Sequence, residues 1–282
     1  MAFDITTAQS QGRRDCQEDT LVAHFTQGRD LGFVVLADGM GGHAAGDIAS
    51  KIVVTEVFSE LLFQTGNPSD PAMTIPAALR DAAQAADACI AAYVAAHPAT
   101  RGMGATLVAP VILHRSLWWI SVGDSPLFLY RDGSLRQLNE DHSLAPQIDL
   151  MAAHGAIDPA SARDHPDRNV LTSVLFGGRI ARIDCPADPL ALQDGDILIV
   201  ASDGLQSLTD SAISGVLAGL SRSPSGGIAS GLLTAVARLD DPDQDNVSLC
   251  VIRVSETRAP PAGDATTWRR HGKVPPSLPV TL

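Results

Sequence analysis

The pattern of apolar and polar residues along the chain predicts a fold with many buried strands. Six short segments are apolar and rich in β-branched residues, which is typical of such strands. They lie at 32–37, 106–113, 117–122, 127–130, 196–201 and 247–254. Between Arg131 and Ser134 stands an Asp-Gly pair, which predicts a tight hairpin turn because it supplies the positive φ that such turns need.

Two long helices are predicted between the first and second of these strands, at 44–63 and Ile75–Ala96. The first has apolar residues at helical spacing, and the second is very rich in alanine, the residue with the highest helix propensity. Two further helices are predicted at Asp210–Leu220 and 227–239. The mixed, polar segment 145–168 extends neither neighbouring pattern, so we interpret it as an inserted excursion.

Composition and charge exclude some classes of function. The chain has 282 residues, of which 45% are hydrophobic, enough to give one large domain or two small ones a sizeable core. Its formal charge of −12 disfavours nucleic acid as a partner, because a phosphate backbone requires a basic surface. No apolar run is long enough to span a bilayer, and the N-terminus lacks a secretory signal.

The cysteines and the C-terminal segment add two expectations. Cys16, Cys89, Cys185 and Cys250 are far apart and show no CxxC spacing, so neither a zinc site nor a disulfide framework is indicated. We therefore predict a cytoplasmic protein with reduced thiols. The segment 255–282 is rich in proline and has no periodicity, and we predict that it forms a disordered tail.

Aspartates stand beside four of the predicted strands. Asp38, Asp124 and Asp203 each follow a strand, and Asp245 directly precedes the last one. Each aspartate alone is typical of a turn or a helix cap. Four carboxylates that converge at one sheet edge would repel each other unless cations lay between them, and oxygen ligands favour Mg²⁺ or Mn²⁺. Their shared position therefore indicates a metal site.

Two further segments contain candidate residues. The glycine-rich stretch that begins at Gly39 leads into a helix but matches neither the P-loop nor the dinucleotide-binding spacing. Arg14 is suited to gripping a phosphate, and Glu18 and Asp19 could hold metal-bound waters. Taken alone, the segment around Arg14 is typical of a solvated loop.

Taken in order, these segments resemble the metal-dependent protein phosphatases of type 2C, in their bacterial form. The resemblance extends from about Thr7 to Val254. The matching motifs are Arg14 with Glu18-Asp19, Ala37-Asp38-Gly39-Met40-Gly41-Gly42-His43, Gly104-Ala105-Thr106-Leu107, Val122-Gly123-Asp124-Ser125, Asp141-His142-Ser143, Asn169-Val170-Leu171-Thr172, Ala201-Ser202-Asp203-Gly204-Leu205 and Asp245-Asn246-Val247-Ser248. Any one motif would be weak, but eight in the family's order are specific.

The resemblance implies a four-layer sandwich, with two central antiparallel β-sheets flanked by helices. It implies a catalytic domain at 1–254, with 145–168 as a mobile flap beside the active site. It further implies two bound Mn²⁺ or Mg²⁺ ions and a third, weaker one. The implied ligands are Asp38, which bridges two ions, the carbonyl of Gly39, Asp203 and Asp245, with Asp124 at the third ion. Arg14 would orient the substrate phosphate, and the supporting residues would be Glu18, Asp19 and Thr106.

The activity implied by the resemblance is hydrolysis of phosphoserine and phosphothreonine in proteins, through in-line attack by a hydroxide that bridges the two ions. A Ser/Thr kinase, signal transduction and a monomer would follow. Met40 stands where animal members have histidine, so the general acid stays open, and His43 is expected to cap or pack at the helix start. A non-catalytic regulatory member and a hydrolase of small phosphate esters stay open as alternatives, as does the choice between Mn²⁺ and Mg²⁺.

Overall fold

Two antiparallel β-sheets face each other in the computed structural model, which describes residues 2–25, 31–41, 44–65 and 74–255. Gly42, His43 and the predicted tail beyond Ser255 lie outside these residues, so the expectations about His43 and the tail stay predictions. The strands are β1 (Ala2–Ser10), β2 (Asp19–Phe25), β3 (Leu31–Met40), β4 (Gly104–Ala105), β5 (Leu107–Leu113), β6 (Ser116–Val122), β7 (Leu127–Arg131), β8 (Ser134–Gln137), β9 (Leu190–Ala191), β10 (Ile197–Ala201) and β11 (Val247–Ser255).

One sheet has the spatial order β1-β11-β10-β7-β8, and the other has the order β2-β3-β5-β6-β9, with β4 paired to β3. The helices are α1 (Ala44–Thr65), α2 (Ile75–Ala96), α3 (Ala145–Ala153), α4 (Pro159–Arg163), α5 (Asp210–Leu220) and α6 (Ser225–Ala237). α1 and α2 cover the outer face of the β3 sheet, and α5 and α6 cover that of the β11 sheet. None of the helices in the described part of the chain has the length and hydropathy needed to cross a bilayer.

Three hydrophobic clusters hold these layers together. The middle cluster lies between the sheets, where Leu36 and Val108 of one sheet pack with Val200 and Ile252 of the other. A second cluster joins α1 and α2 to the β3 sheet, and a third joins α5 and α6 to the β11 sheet. This arrangement confirms the predicted four-layer sandwich, because each sheet buries one face on the other sheet and one face under helices.

The strand directions bring several chain segments to one end of the sandwich. β3 and β6 end there while β2 and β5 begin, since neighbouring strands are antiparallel. In the other sheet, β1 and β10 end where β11 and β7 begin. The chain passes from β6 of one sheet to β7 of the other through the short segment 123–126. The residues that follow or precede these strands therefore meet at the same edge.

Most predicted elements are confirmed to within two residues. The segments that differ from the prediction are β3 and residues 145–168. The strand predicted at 32–37 continues to Met40, so Asp38 lies inside β3 rather than after it, because Gly39 and Met40 pair with β4. The predicted hairpin turn is confirmed, with φ of 51° at Asp132 and 79° at Gly133. The segment 145–168 contains α3 and α4, so it is partly helical.

Candidate metal and phosphate site

A cleft of about 510 Å³ opens at the sandwich edge where these strand ends meet. We call it the candidate cleft. The predicted residues that line it are Arg14, Glu18, Asp38, Gly39, Thr106, Asp124, Asp203 and Asp245. An adjoining cavity of about 520 Å³ shares Arg14, Asp124, Asp203 and Asp245 with it and extends to Ala145 and Arg168 of the flap, residues 145–168. The structure thus brings residues far apart in the sequence to one place.

Asp38 is fixed through its backbone. Its amide donates a hydrogen bond of 2.9 Å to Thr106 Oγ1, and its carbonyl accepts one of 2.9 Å from the Thr106 amide. The next residue, Gly39, donates from its amide to the carbonyl of Glu18. A Cβ at Gly39 would lie 2.1 Å from the carbonyl oxygen of Gly46, so only glycine allows β3 to approach α1 so closely.

Asp124 lies in the crossing segment between the sheets and is 7% exposed. Gly123 before it has φ of 104°, and a Cβ there would meet Thr106, so the turn requires glycine. The Gly123 amide donates to Nδ1 of the fully buried His142 at 3.2 Å. On the other side, the Ser125 and Thr106 hydroxyls share a hydrogen bond of 2.8 Å. Thr106 therefore links the backbones that carry Asp38 and Asp124.

Asp203 and Asp245 come from neighbouring strands of the other sheet. Asp203 begins a short 3₁₀ helix, Asp203–Ser207, just after β10, and Asp245 lies two residues before β11. A Cβ on Gly204 would lie 2.0 Å from the carbonyl oxygen of Asn246, which shows how tightly these two segments pack. Tight packing of the backbones sets the two carboxyl groups side by side.

Arg14 and Asp19 occupy the loop that joins β1 to β2 and the start of β2. Arg14 Nη2 donates to Asp245 Oδ2 at 2.6 Å, so the arginine predicted to bind phosphate is paired with a predicted metal ligand. Asp19 stands opposite Asp38 in the β2–β3 ladder and accepts a hydrogen bond of 2.7 Å from the Ser202 hydroxyl. Ser202 thus ties the β2 start to the β10 end, beneath the carboxyl groups.

Mutual repulsion and burial shift the pKa values of these carboxyl groups upward. Burial, the charge of Asp203 and that of Asp141 raise the pKa of Asp124 to about 8. Burial and the charge of Asp245 raise the pKa of Asp203 to about 6. Burial, followed by the charges of Asp203, Asp19 and Asp124, raises the pKa of Asp38 well above its usual value. Each group is costly to ionise while its neighbours carry uncompensated negative charge.

The donor set fits a divalent oxygen-binding cation. Within the described part of the chain, the buried oxygens Asp203 Oδ1 and Asp19 Oδ1 accept no hydrogen bond, which is costly unless something else satisfies them. The chemistry of the predicted ligands is carboxylate and carbonyl oxygen, which suits Mg²⁺ and Mn²⁺. No three acidic, His or Cys side chains of the described residues already form a closed ligand cage. The residues present thus suit such a cation, and in this structure Asp245 is paired with Arg14.

Sequence reasoning missed several residues that support the site. Ser202, Ser125 and Asn246 connect the segments that carry the aspartates, and Asn169 lines both the candidate cleft and the adjoining cavity. Each lies in, or directly beside, a motif that the sequence analysis singled out. Membership of such a motif was thus the available signal, but it did not reveal what each side chain contacts.

Comparisons with known proteins identify relatives of this chain in sequence and in fold. The serine/threonine protein phosphatase PstP of Mycobacterium tuberculosis is 34% identical over 172 residues, which are 61% of this chain and 31% of that protein. The match thus spans about a third of that relative's length. The crystal structure of M. tuberculosis PstP/Ppp superimposes with a TM-score of 0.73 at 28% identity, covering 91% of this chain and all of that one.

A second solved structure is that of the PstP catalytic domain in complex with two manganese ions. It has a TM-score of 0.69 and 28% identity, and it covers 90% of this chain and 100% of that chain. The sequence model of the protein phosphatase 2C family matches residues 8–225, which is well over half of the chain. The chain therefore belongs to the protein phosphatase 2C family.

Proposed function

We propose that this chain is a metal-dependent protein phosphatase that hydrolyses phosphoserine and phosphothreonine. The observation that carries the proposal is that three carboxyl groups with raised pKa values lie with Arg14 in one cleft. They belong to Asp38, Asp124 and Asp203. Membership of the protein phosphatase 2C family and the named activity of its relatives support the same function.

The proposed ligands of two Mn²⁺ or Mg²⁺ ions are Asp38, the Gly39 carbonyl, Asp203 and Asp245, with Asp124 at a third ion. The two manganese ions bound by the PstP catalytic domain support the binding of two such ions. When bound, such ions activate water and neutralise charge on phosphate. Glu18, Asp19 and Thr106 would support these ligands without binding the ions directly.

Arg14 is proposed to bind the phosphate group of the substrate. Its guanidinium is 54% exposed at the cleft, and a planar fork of donors suits two phosphate oxygens. The transition state spreads negative charge over the three equatorial oxygens of the phosphoryl group, so a cation fixed beside them stabilises it. Separation of Arg14 from Asp245 would free both groups for these roles.

The proposal extends to the organisation and setting of the chain. We take residues 1–254 as the catalytic domain, with the flap beside its active site and 255–282 as a dispensable tail. We further propose that the chain is a bacterial, cytoplasmic monomer that opposes a Ser/Thr kinase in signal transduction. The four cysteines show no paired CxxC spacing, which supports a reducing compartment. Light scattering after gel filtration would test the monomer.

Dephosphorylation of a phosphothreonine peptide by the purified chain tests the activity. Turnover is expected with Mn²⁺ and not with excess EDTA, and Asp203→Asn is expected to lower kcat at least about 100-fold. Asp132→Asn, in an exposed hairpin, is the matched control and should keep wild-type activity. Faster turnover of a free sugar phosphate than of the peptide would contradict a protein substrate and favour a small-ester hydrolase.

A further inference from the structure

The loop that carries Arg14, residues 11–18, has no strand or helix of its own between β1 and β2. We call it the arginine loop. An arginine that receives a phosphate must be held in place, because its long side chain otherwise loses much conformational freedom on binding. The residue that holds both ends of this loop is Asn246, which neither the family resemblance nor the ligand assignment explains.

Asn246 is 3% exposed and makes three hydrogen bonds to the arginine loop through its side chain. Its Nδ2 donates to the carbonyl of Gln11 at 2.8 Å and to that of Cys16 at 3.1 Å. Its Oδ1 accepts from the amide of Glu18 at 2.8 Å. These contacts lie on both sides of Arg14, so one side chain closes the loop around the arginine.

The chemistry of this contact requires an amide. Two carbonyl oxygens need donors and one N–H needs an acceptor, and the asparagine side chain supplies both. An aspartate of the same shape could accept from Glu18 but would bring negative charge against two carbonyl oxygens. The bond from the Asn246 backbone amide to Asp245 Oδ1, at 2.7 Å, does not involve the side chain and would survive its replacement.

Other contacts hold the arginine loop less completely. The Arg13 amide donates to the Gln244 carbonyl at 2.8 Å, and Gln11 Nε2 donates to the Arg14 carbonyl at 2.8 Å. The first fixes the loop before Arg14, and the second lies within the loop. Without the Asn246 side chain, the part of the loop that follows Arg14 would lose two hydrogen bonds, those of the Cys16 carbonyl and the Glu18 amide.

We propose that Asn246 is a positioning residue that presents Arg14 to the substrate phosphate. This inference rests on the proposed function, because it assigns Arg14 a phosphate to bind. The alternative is that Asn246 only stabilises the fold. The two differ in one respect: a positioning residue acts through Arg14, so its effect on catalysis must depend on whether Arg14 is present.

A double-mutant cycle between Asn246→Ala and Arg14→Ala, with Mn²⁺ and a phosphothreonine peptide, separates the two. Asn246→Ala alone is expected to raise KM or lower kcat/KM about tenfold, while in the Arg14→Ala background the same change should have less than about a twofold effect. Asn246→Asp, which keeps the side-chain shape, is expected to act at least as strongly and serves if the alanine variant does not fold.

Asn139→Ala is the matched control, because Asn139 is also buried and its side chain also bonds to backbone through both polar atoms. Its Oδ1 accepts from the Leu127 amide, and its Nδ2 donates to the Ser125 carbonyl. Its effect on kcat/KM should be the same with and without Arg14. Hydrogen exchange adds a readout without substrate: the Glu18 amide should be protected in the wild-type chain, and its protection should fall in Asn246→Ala, which lacks the accepting oxygen. A Glu18 amide that exchanges as fast as an exposed loop overturns the proposal.

The two possible failures can be told apart. A wild-type chain that does not hydrolyse the peptide overturns the proposed function and, with it, the role of Arg14. An active wild type in which the Asn246 and Arg14 effects simply add overturns only the assignment of Asn246. Equal coupling of Asn139 and Asn246 to Arg14 would likewise identify a general effect of destabilisation.

Discussion

At the scale of single residues, the pKa of Asp124 links the candidate site to stability. A carboxyl group whose pKa is higher in the folded chain than in the unfolded chain favours folding while it is protonated, and that contribution is lost as the pH rises through the folded value. For Asp124 the unfolded value is 3.8 and the folded value is about 8, so its contribution declines over this interval. The carboxylate then becomes available to a cation.

We expect the melting temperature of the metal-free chain to fall between about pH 5 and pH 8.5, and to fall less in Asp124→Asn. The difference between the two proteins isolates Asp124 from other groups, such as buried His142. Mn²⁺ should raise the wild-type melting temperature more at the higher pH, because a bound cation replaces the proton. Parallel melting curves for wild type and Asp124→Asn would contradict the raised pKa.

Thr106 gives a second prediction at this scale. Its hydroxyl is 1% exposed, accepts from the Asp38 amide and shares a hydrogen bond with Ser125. Thr106→Val keeps the side-chain shape but leaves these buried groups without that partner, which costs about 1–3 kcal/mol of unfolding free energy. Urea unfolding checks this cost, and Mn²⁺ titration calorimetry should show weaker binding as Asp38 loses its anchor. Thr234→Val, at an exposed position of α6, should change neither quantity measurably.

The residues of the site differ in how far the sequence predicts them. Asp38 and Asp203 were found because an acidic residue beside an apolar strand is visible in a short stretch of sequence. Asn246 was not assigned a role, because its partners lie 228–235 positions away and are backbone groups. Backbone partners leave no trace in residue type, so only the folded chain reveals them.

At the scale of elements, burial decides which strands the sequence predicts. β3, β5 and β10 are almost wholly buried and were expected as apolar runs. β1 and β2 lie at the edges of their sheets and are mostly half-buried, so their mixed composition gave no such run. Yet these two edge strands support the arginine loop and Asp19. The weakest sequence signal thus belongs to elements next to the proposed phosphate-binding residue.

The flap yields a prediction at the same scale. Arg168, at the end of this segment, is joined to α3 because it donates to both carboxylate oxygens of Asp149, at 2.6 and 2.8 Å. Asp149→Asn removes this pair, and since it is partly exposed the cost to unfolding free energy should stay within about 1 kcal/mol. Hydrogen exchange across α3 and α4 should accelerate and KM for a phosphopeptide should rise. Lys51→Gln, which removes the exposed Asp47–Lys51 pair, should leave the flap unchanged.

At the scale of the whole molecule, the described fold is complete at Ser255. β11 lies in the middle of its sheet, paired along its full length with β1 and with β10 on its other side. Its first residues follow Asp245, so the last strand also fixes the last proposed ligand. Among the described residues, both sheets and the lining of the candidate cleft are formed by positions up to Ser255, and we predict that the segment after it is dispensable.

A chain that ends at Ser255 is therefore expected to fold and to keep kcat/KM within about twofold of the full-length value. A chain that ends at Leu239 should not fold, because it loses the central strand β11, which leaves β1 without a partner and β10 paired only with β7. Circular dichroism and phosphopeptide turnover of the two proteins test both statements. Since Arg269, Arg270 and Lys273 make the removed segment basic, the assay should be repeated at two salt concentrations. Activity that rises on truncation at low salt and not at high salt would show that the segment inhibits an acidic cleft, and would contradict a dispensable tail.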